Sequence, residues 1–363
     1  MTIPVEGAWP AARARLMDPP PAADSLLRPR ADQAARLPTD RPLLAVVVDV
    51  EEEFDWAAPF DPANTSVTAL RHIHRAQRLF DRHGLRPTYA VDYPVATQAE
   101  GYEPLREILA DGRCHIGAQL HPWVTPPAGE IVGKRHSFPG NLPPGLERAK
   151  LVRLKAALED TFGLSPLLYK AGRYGVGPNT AGLLHSLGFR IDASLVPSRD
   201  YRPLGGPDFR DSPLGPFWFG PGRSLLEIPV TCGFIGLAGG LPQPLAARLT
   251  APALEPFGLP AVLSRTGLLG RVQLTPEGVP LAEAMALTRA LLRRGTLVFQ
   301  LCFHSPSLAV GHTPYVRTRT DLDRFLGWLA DYLDFFFGEV GGAPTTPADL
   351  LSLAEANRGS GPP

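Results

Sequence analysis

Cysteine is scarce in this chain: three in 363 residues, at positions 114, 232 and 302, with no CxxC spacing among them. That argues against a disulfide scaffold and fits a reducing, cytoplasmic setting. Long hydrophobic runs are missing too, since no apolar stretch approaches the roughly 20 residues that span a bilayer. The opening MTIPVEGAWPAARARLMDPPPAADS scatters prolines and arginines and has no apolar h-region, so it does not read as a secretory signal. Neither sign of charge is in excess: Lys+Arg and Asp+Glu both number 36, which leaves no footprint for nucleic acid or a membrane surface. No GxSxG elbow and no phosphate-binding GxGxxG or GxxxxGK[ST] stands between a strand and a helix. What is present is ordinary globular material, 44% hydrophobic and 20% charged, enough for one large domain or two ordinary ones.

The hydrophobic pattern alternates between two periods. LLAVVVDV (43–50), RPTYAVD (86–92), CHIGAQL (114–120), PLLYKAG (166–172), FRIDAS (189–194) and TLVFQLCF (296–303) read as strands. Between them, 67–84, 103–112, 146–163, 179–188, 280–294 and 321–337 read as helices, several ending at a glycine. Residues 1–40 lack periodicity and read as a partly disordered lead-in with a short helix at 30–36. The Pro/Gly-rich stretch 196–260 offers one strand-like piece, 225–230. Strands alternating with helices imply parallel βα units, hence one α/β domain, either a barrel or a doubly wound sheet.

In such a domain functional groups gather at the C-terminal ends of strands. Reading those ends gives Asp49 and Glu51, Gln119 and His121, Arg173, Asp192 and His304. Extended alternation puts Asp49 and Glu51 on one face and Glu52 on the other. Carboxylates facing an imidazole suit a divalent ion, zinc foremost, which would offset the repulsion within DVEEE and acidify a bound water. His304 is then placed to act as a general acid. Bland readings stand beside these: Glu52 and Glu53 as solvated loop charges, His72, His74 and His83 as surface histidines, Arg173 as a structural ion-pair partner, and Cys302 as a core thiol. Trp123 and Tyr174, beside the strand ends, are candidates to pack on a sugar face, with loop packing as the alternative.

The order DVEEEFDW (49–56), HIGAQLHPW (115–123), YKAGRYGVGPN (169–179), DASLVP (192–197) and QLCFHSPSL (300–308) resembles the polysaccharide deacetylase superfamily, the NodB-homology domain. LHPWVTPP, SFPGNLPP and FHSPSL make the chain most similar to its WalW-like branch. The resemblance covers about residues 40–345, setting off 1–40 as the lead-in and 346–363 as a closing helix turn and tail. It implies a distorted (β/α) barrel of about seven parallel strands and metal-dependent removal of an N-acetyl or related acyl group from a carbohydrate. By motif position, Asp49 would be the base and Glu51 a metal ligand. Arg173 would orient the base, and Asp192 would tune His304. The sequence also departs from the pattern: the usual Asp-Asp pair is Asp49-Val50-Glu51, and the two expected histidine positions hold Gln119 and Trp123. The ligand set implied is then Glu51 or Asp49, His121 and Gln119, an amide oxygen being a weak donor to zinc. A glycan-binding barrel without the metal is the alternative. A glycoside hydrolase is a third reading, for which adjacent acids on one strand end are poorly placed.

Overall fold

An unbroken apolar strand must be covered on both faces, and β1 (Leu43–Val50) is: every residue from Leu44 onward is buried. The structure, a computed structural model, describes residues 25–358. Ten more strands follow: β2 (Thr88–Val91), β3 (His115–Leu120), β4 (Leu168–Ala171), β5 (Ile191–Asp192), β6 (Phe217–Phe219), β7 (Leu225–Glu227), β8 (Cys232–Ile235), β9 (Gly270–Gln273), β10 (Val298–His304) and β11 (Ala343–Pro344). The main sheet runs β10-β1-β2-β3-β4-β5-β7-β6. Its first seven members are parallel, and β6 returns antiparallel along β7. β11 pairs with Leu43 and Leu44, ahead of Val47 where β2 begins. The sheet curls, and the gap between β7 and β10 is bridged through Thr231, which exchanges bonds with Gln300, and Leu274, whose carbonyl accepts the Cys302 N–H. The result is the distorted (β/α) barrel that the motif order implies.

Alternation along β1 separates two cores. Leu44, Val46, Val48 and Val50 face the surrounding helices, while Ala45 and Val47 point inward among Ala90, Leu168, Ile191, Leu226 and Val298. The helix Pro347–Ala356 closes the inner cluster with Leu350, Leu351 and Ala354, and a Thr346–Asp349 capping box sets its start. With that space filled by apolar side chains, the next inward positions along β1, β3, β4 and β10 are polar, Asp49, Gln119, Lys170 and Gln300, and His304 follows at the end of β10. A floor for a site is thereby built at the carboxyl ends of the strands.

Several elements differ from the sequence expectation. The helix expected over 67–84 divides into a 3-10 turn, Thr68–His72, and a helix, His74–Asp81, because Glu53 reaches back to hold the Thr68 hydroxyl and the Ala69 N–H. Of the expected lead-in, residues 1–24 lie outside the described residues. The part from Ser25 onward packs on the barrel: Leu26 is buried, and Gln33 Nε2 donates to the Trp218 carbonyl at 2.8 Å. The helix expected at 30–36 is a single turn, Ala31–Gln33. Among the described residues no helix is long and apolar enough to cross a membrane.

Candidate active site

Asp49, next to last in β1, lies beside two basic side chains. Its Oδ1 lies 2.6 Å from Lys170 Nζ, and its Oδ2 lies 3.5 Å from His304 Nε2. Lys170 sits on the inner face of β4 with 1% of its surface exposed. Burial opposes its charge, but Asp49 outweighs that and raises its pKa. Lys170, then, and not Arg173, accompanies the acid. The chain turns through positive φ at Arg173 (55°) and Tyr174 (60°), which carries the guanidinium away from Asp49. Arg173 lies on the faces of Phe138 and Phe60, 4.2 and 5.1 Å from the ring centres, and donates to Ser137 Oγ at 2.5 Å. Just before it, Gly172 permits a close approach: a Cβ there would meet His121 Cδ2 and the Leu120 carbonyl, each at 2.5 Å.

His304, at the end of β10, is held by Glu277. Its Nδ1 is 2.7 Å from Glu277 Oε2, while its backbone N–H and the Ser307 hydroxyl both donate to Oε1. Burial disfavours the imidazolium, but Glu277, with Glu51 and Asp49, prevails and holds its pKa at about 10. Asp192 does not take this role. Strand order places β5 across the barrel from β10, and Asp192 accepts from Ser194 Oγ while facing Glu227 in the β5–β7 register. Burial lifts both carboxyls, Asp192 to about 6 and Glu227 well above its ordinary value.

Glu51, Gln119 and His121 converge on one point. Gln119 Nε2 is 2.9 Å from Glu51 Oε2 and 3.0 Å from His121 Nε2, and the remaining edge of the triangle is 3.5 Å. Behind the ring, His121 Nδ1 lies 2.8 Å from Glu52 Oε2, and Glu52 Oε1 accepts the Trp123 indole N–H at 2.8 Å. Glu52 is therefore a fully buried orienting group rather than a solvated loop charge. Trp123 is not a free sugar platform: its N–H is engaged, and its ring stacks on His121 with centroids 4.3 Å apart. With Nδ1 donating to Glu52, and burial pushing the imidazole toward neutrality, His121 Nε2 presents a lone pair to the triangle.

The residues fit a divalent ion. Ligand atoms about 2.1 Å from a tetrahedral ion stand roughly 3.4 Å apart, close to the Glu51–His121 edge. Glu51 Oε1 and Gln119 Oε1 are buried oxygens without a hydrogen-bond partner. Rotating the Gln119 amide by half a turn would bring its oxygen into the corner its nitrogen now fills. Burial pushes Glu51 up to about 7, a cost that a cation would relieve. A second group, Glu52, Asp92 and His121, also brings ligand atoms within 4.8 Å of one another. It lies on the Nδ1 side of His121, away from the cavity, and its acids are already bonded to Trp123 and to the Glu52 and Val95 amides.

Above this floor opens a cavity of about 490 Å³, bounded by Asp49, Glu51, Gln119, His121, Glu277 and His304. Phe54, Trp56, Phe60, Tyr174 and Tyr315 form aromatic walls, with Trp56 edge-on to His304 at 4.8 Å. Tyr174 thus lines the cavity. Sequence reasoning missed Lys170 and Glu277. A charge in the middle of the apolar PLLYKAG was a signal for the first, whereas Glu277 lies in a Pro/Gly loop with no periodicity to place it. Cys302 is buried, as a core thiol should be, and also reaches the cavity wall.

No family model matches the chain, and no curated protein matches it by sequence. Solved structures do. A protein from Mycobacterium smegmatis named as a polysaccharide deacetylase superposes with a TM-score of 0.56 at 19% identity, over 93% of this chain and 99% of its own. A second so named, from Pseudomonas aeruginosa PAO1, gives 0.52 at 16% identity over 88% and 92%. The Puue allantoinase gives 0.50 at 14% identity over the same shares, 88% and 92%. The likeness is one of architecture: this chain is a NodB-like (β/α) barrel, a mostly parallel curled sheet wrapped by helices, and it shares that fold with the structures so named.

Proposed function

We propose that the chain is a metal-dependent hydrolase that removes an N-acetyl or related acyl group from a carbohydrate by cleaving a C–N amide bond. The observation that carries this reading is the placement of Asp49 and His304, 3.5 Å apart, beside the Glu51–Gln119–His121 triangle on one cavity floor. Lys170 fixes one oxygen of Asp49, leaving the carboxylate to accept a proton from an attacking water. Glu277 occupies Nδ1 of His304, so the ring offers Nε2–H to the nitrogen that departs. The amide thus gains one water, one of its protons passing to Asp49 while the amine takes its own from His304. Glu51, His121 and the Gln119 carbonyl oxygen would hold a divalent ion, zinc foremost, which would supply Lewis acidity. Tyr174, Phe54 and Trp56 narrow the space around the sugar. LHPWVTPP, SFPGNLPP and FHSPSL support the WalW-like branch, and three buried free thiols support a cytoplasmic setting with a small sugar derivative as substrate.

Acetate release from N-acetylated sugars tests the reading. Asp49→Asn is expected to cut kcat about 10²- to 10⁴-fold with KM little changed. Full activity in that variant, or no release by the wild type from any amide offered, contradicts it. One feature favours a second reading, a glycan-binding barrel without chemistry: the Gln119 NH₂ group already bridges Glu51 and His121 where an ion would stand.

A further inference from the structure

We propose that the substrate carries an oxyanion, a carboxylate or a phosphate, which Arg199 and Arg271 bind on the wall of the cavity distant from β1 in sequence and built by the 196–201 loop and β9. This deepens the reading above and rests on it. Charge on the cavity lining is unevenly paired. Asp49 faces Lys170, Glu277 faces His304, and Glu51 faces the Gln119–His121 corner. Each acid lining the cavity is therefore answered. Three guanidinium groups line the same space, Arg173, Arg199 and Arg271, and among the described residues none of them makes an ion pair.

Their existing contacts leave donors free. Arg271 gives Nη1 to the Ser198 carbonyl at 3.2 Å, and Arg199 lies over the Tyr201 ring at 5.5 Å. Arg271 thus reaches the backbone of the residue before Arg199, and both side chains line the same cavity. The loop does not lack acids: a few residues on, Arg202 and Arg210 are paired with Asp200 and Asp208. Those carboxylates are spent on their neighbours, and Arg199 is left facing the cavity. Arg173, beyond Tyr201, has its charge disfavoured by burial and likewise lacks an anion. A planar guanidinium matches a carboxylate or a phosphate with two parallel bonds, and half-buried forks without an anion are poor packing for a neutral sugar. A neutral N-acetylhexosamine would leave all three unused. An acylated sugar bearing one oxyanion answers Arg199 and Arg271 while its amide reaches Asp49 and His304.

Quenching of Trp56, which lines the cavity, gives a binding readout that needs no turnover. The probes are N-acetylglucosamine, its 6-phosphate, and N-acetylmuramic acid, which carries a carboxylate. At least one anionic sugar should bind about 10- to 100-fold tighter than the neutral one. Arg199→Ala and Arg271→Ala should each remove about tenfold of that preference, and Arg271→Lys should restore only part, since an ammonium lacks the fork. Which anionic probe gains tells a carboxylate from a phosphate. Equal affinity for all three, no binding of any, or a preference that survives in the Arg199→Ala/Arg271→Ala double variant overturns the proposal. Anion-selective binding without hydrolysis would refute only the hydrolase reading. Hydrolysis of neutral sugars without anion preference would refute only this one.

Discussion

His304 shows how one neighbour sets a residue's chemistry. An imidazole sheltered in a cavity would ordinarily lose its proton, yet Glu277 on Nδ1 holds it charged to about pH 10. A general acid must carry its proton, so activity should fall as pH rises through that value. Glu277→Gln removes the stabilising charge while keeping the bulk. The alkaline limb of the kcat profile is then expected to move down by more than one pH unit, toward the ordinary histidine range near ~6.5. An unmoved limb would mean that His304 is not the group titrating there. Glu52, one position from Glu51, faces the opposite way and serves the back of His121, a division that the alternation along the strand makes legible. Its full burial was not legible, because that depends on Trp123 and Asp92 arriving from other strands.

Among the elements, the turn after β4 does two things at once. Its glycine lets the backbone pass against His121, and its two left-handed residues swing Arg173 away from Asp49 onto Phe138. Gly172→Ala would drive a methyl group into His121 Cδ2. The imidazole must shift by several tenths of an ångström or more, so metal affinity is expected to fall about 10- to 100-fold with far-ultraviolet circular dichroism unchanged. Competition against a chelator would measure it, and wild-type affinity would show that the crowding is absorbed elsewhere. The strands and most of the long helices could be anticipated because apolar periodicity is strongest in continuous elements; β1 and β3 are as the sequence predicts, with ends adjusted by a residue. β8, β9 and the Glu277 loop could not, since three- or four-residue strands in Pro/Gly-rich chain carry too few positions to show a period. Asp192 was misplaced for a related reason. Standing at a strand end marks a residue as a candidate, but which strand ends face one another is set by the closure of the sheet.

The whole molecule carries buried charge outside the site, and stability should report it. Glu147, fully shielded on the helix Pro144–Phe162, bonds Thr180 through one oxygen and nothing through the other. Burial lifts its pKa to about 7, above the 4.5 of the unfolded chain. A raised carboxyl pKa means that the folded state keeps a proton the unfolded state releases. Its contribution is present in full below about pH 4.5 and is lost as pH climbs to about 7. Glu147→Gln should therefore match the wild type in acid and exceed it by roughly 1–3 kcal/mol at pH 8, read from denaturant melts at the two pH values. A constant difference between the two proteins would contradict this. At the same scale, hydrolysis depends on whether the barrel floor holds an ion, since Gln119 stands where the resemblance leads one to expect an imidazole. The direct measurement is metal content, by elemental analysis, of protein grown with added zinc, beside Glu51→Ala and His121→Ala. Near one ion per chain, lost in both variants while each stays folded, is the predicted result. No ion in the wild type, with both variants equally well folded, would contradict the hydrolase and leave the glycan-binding barrel.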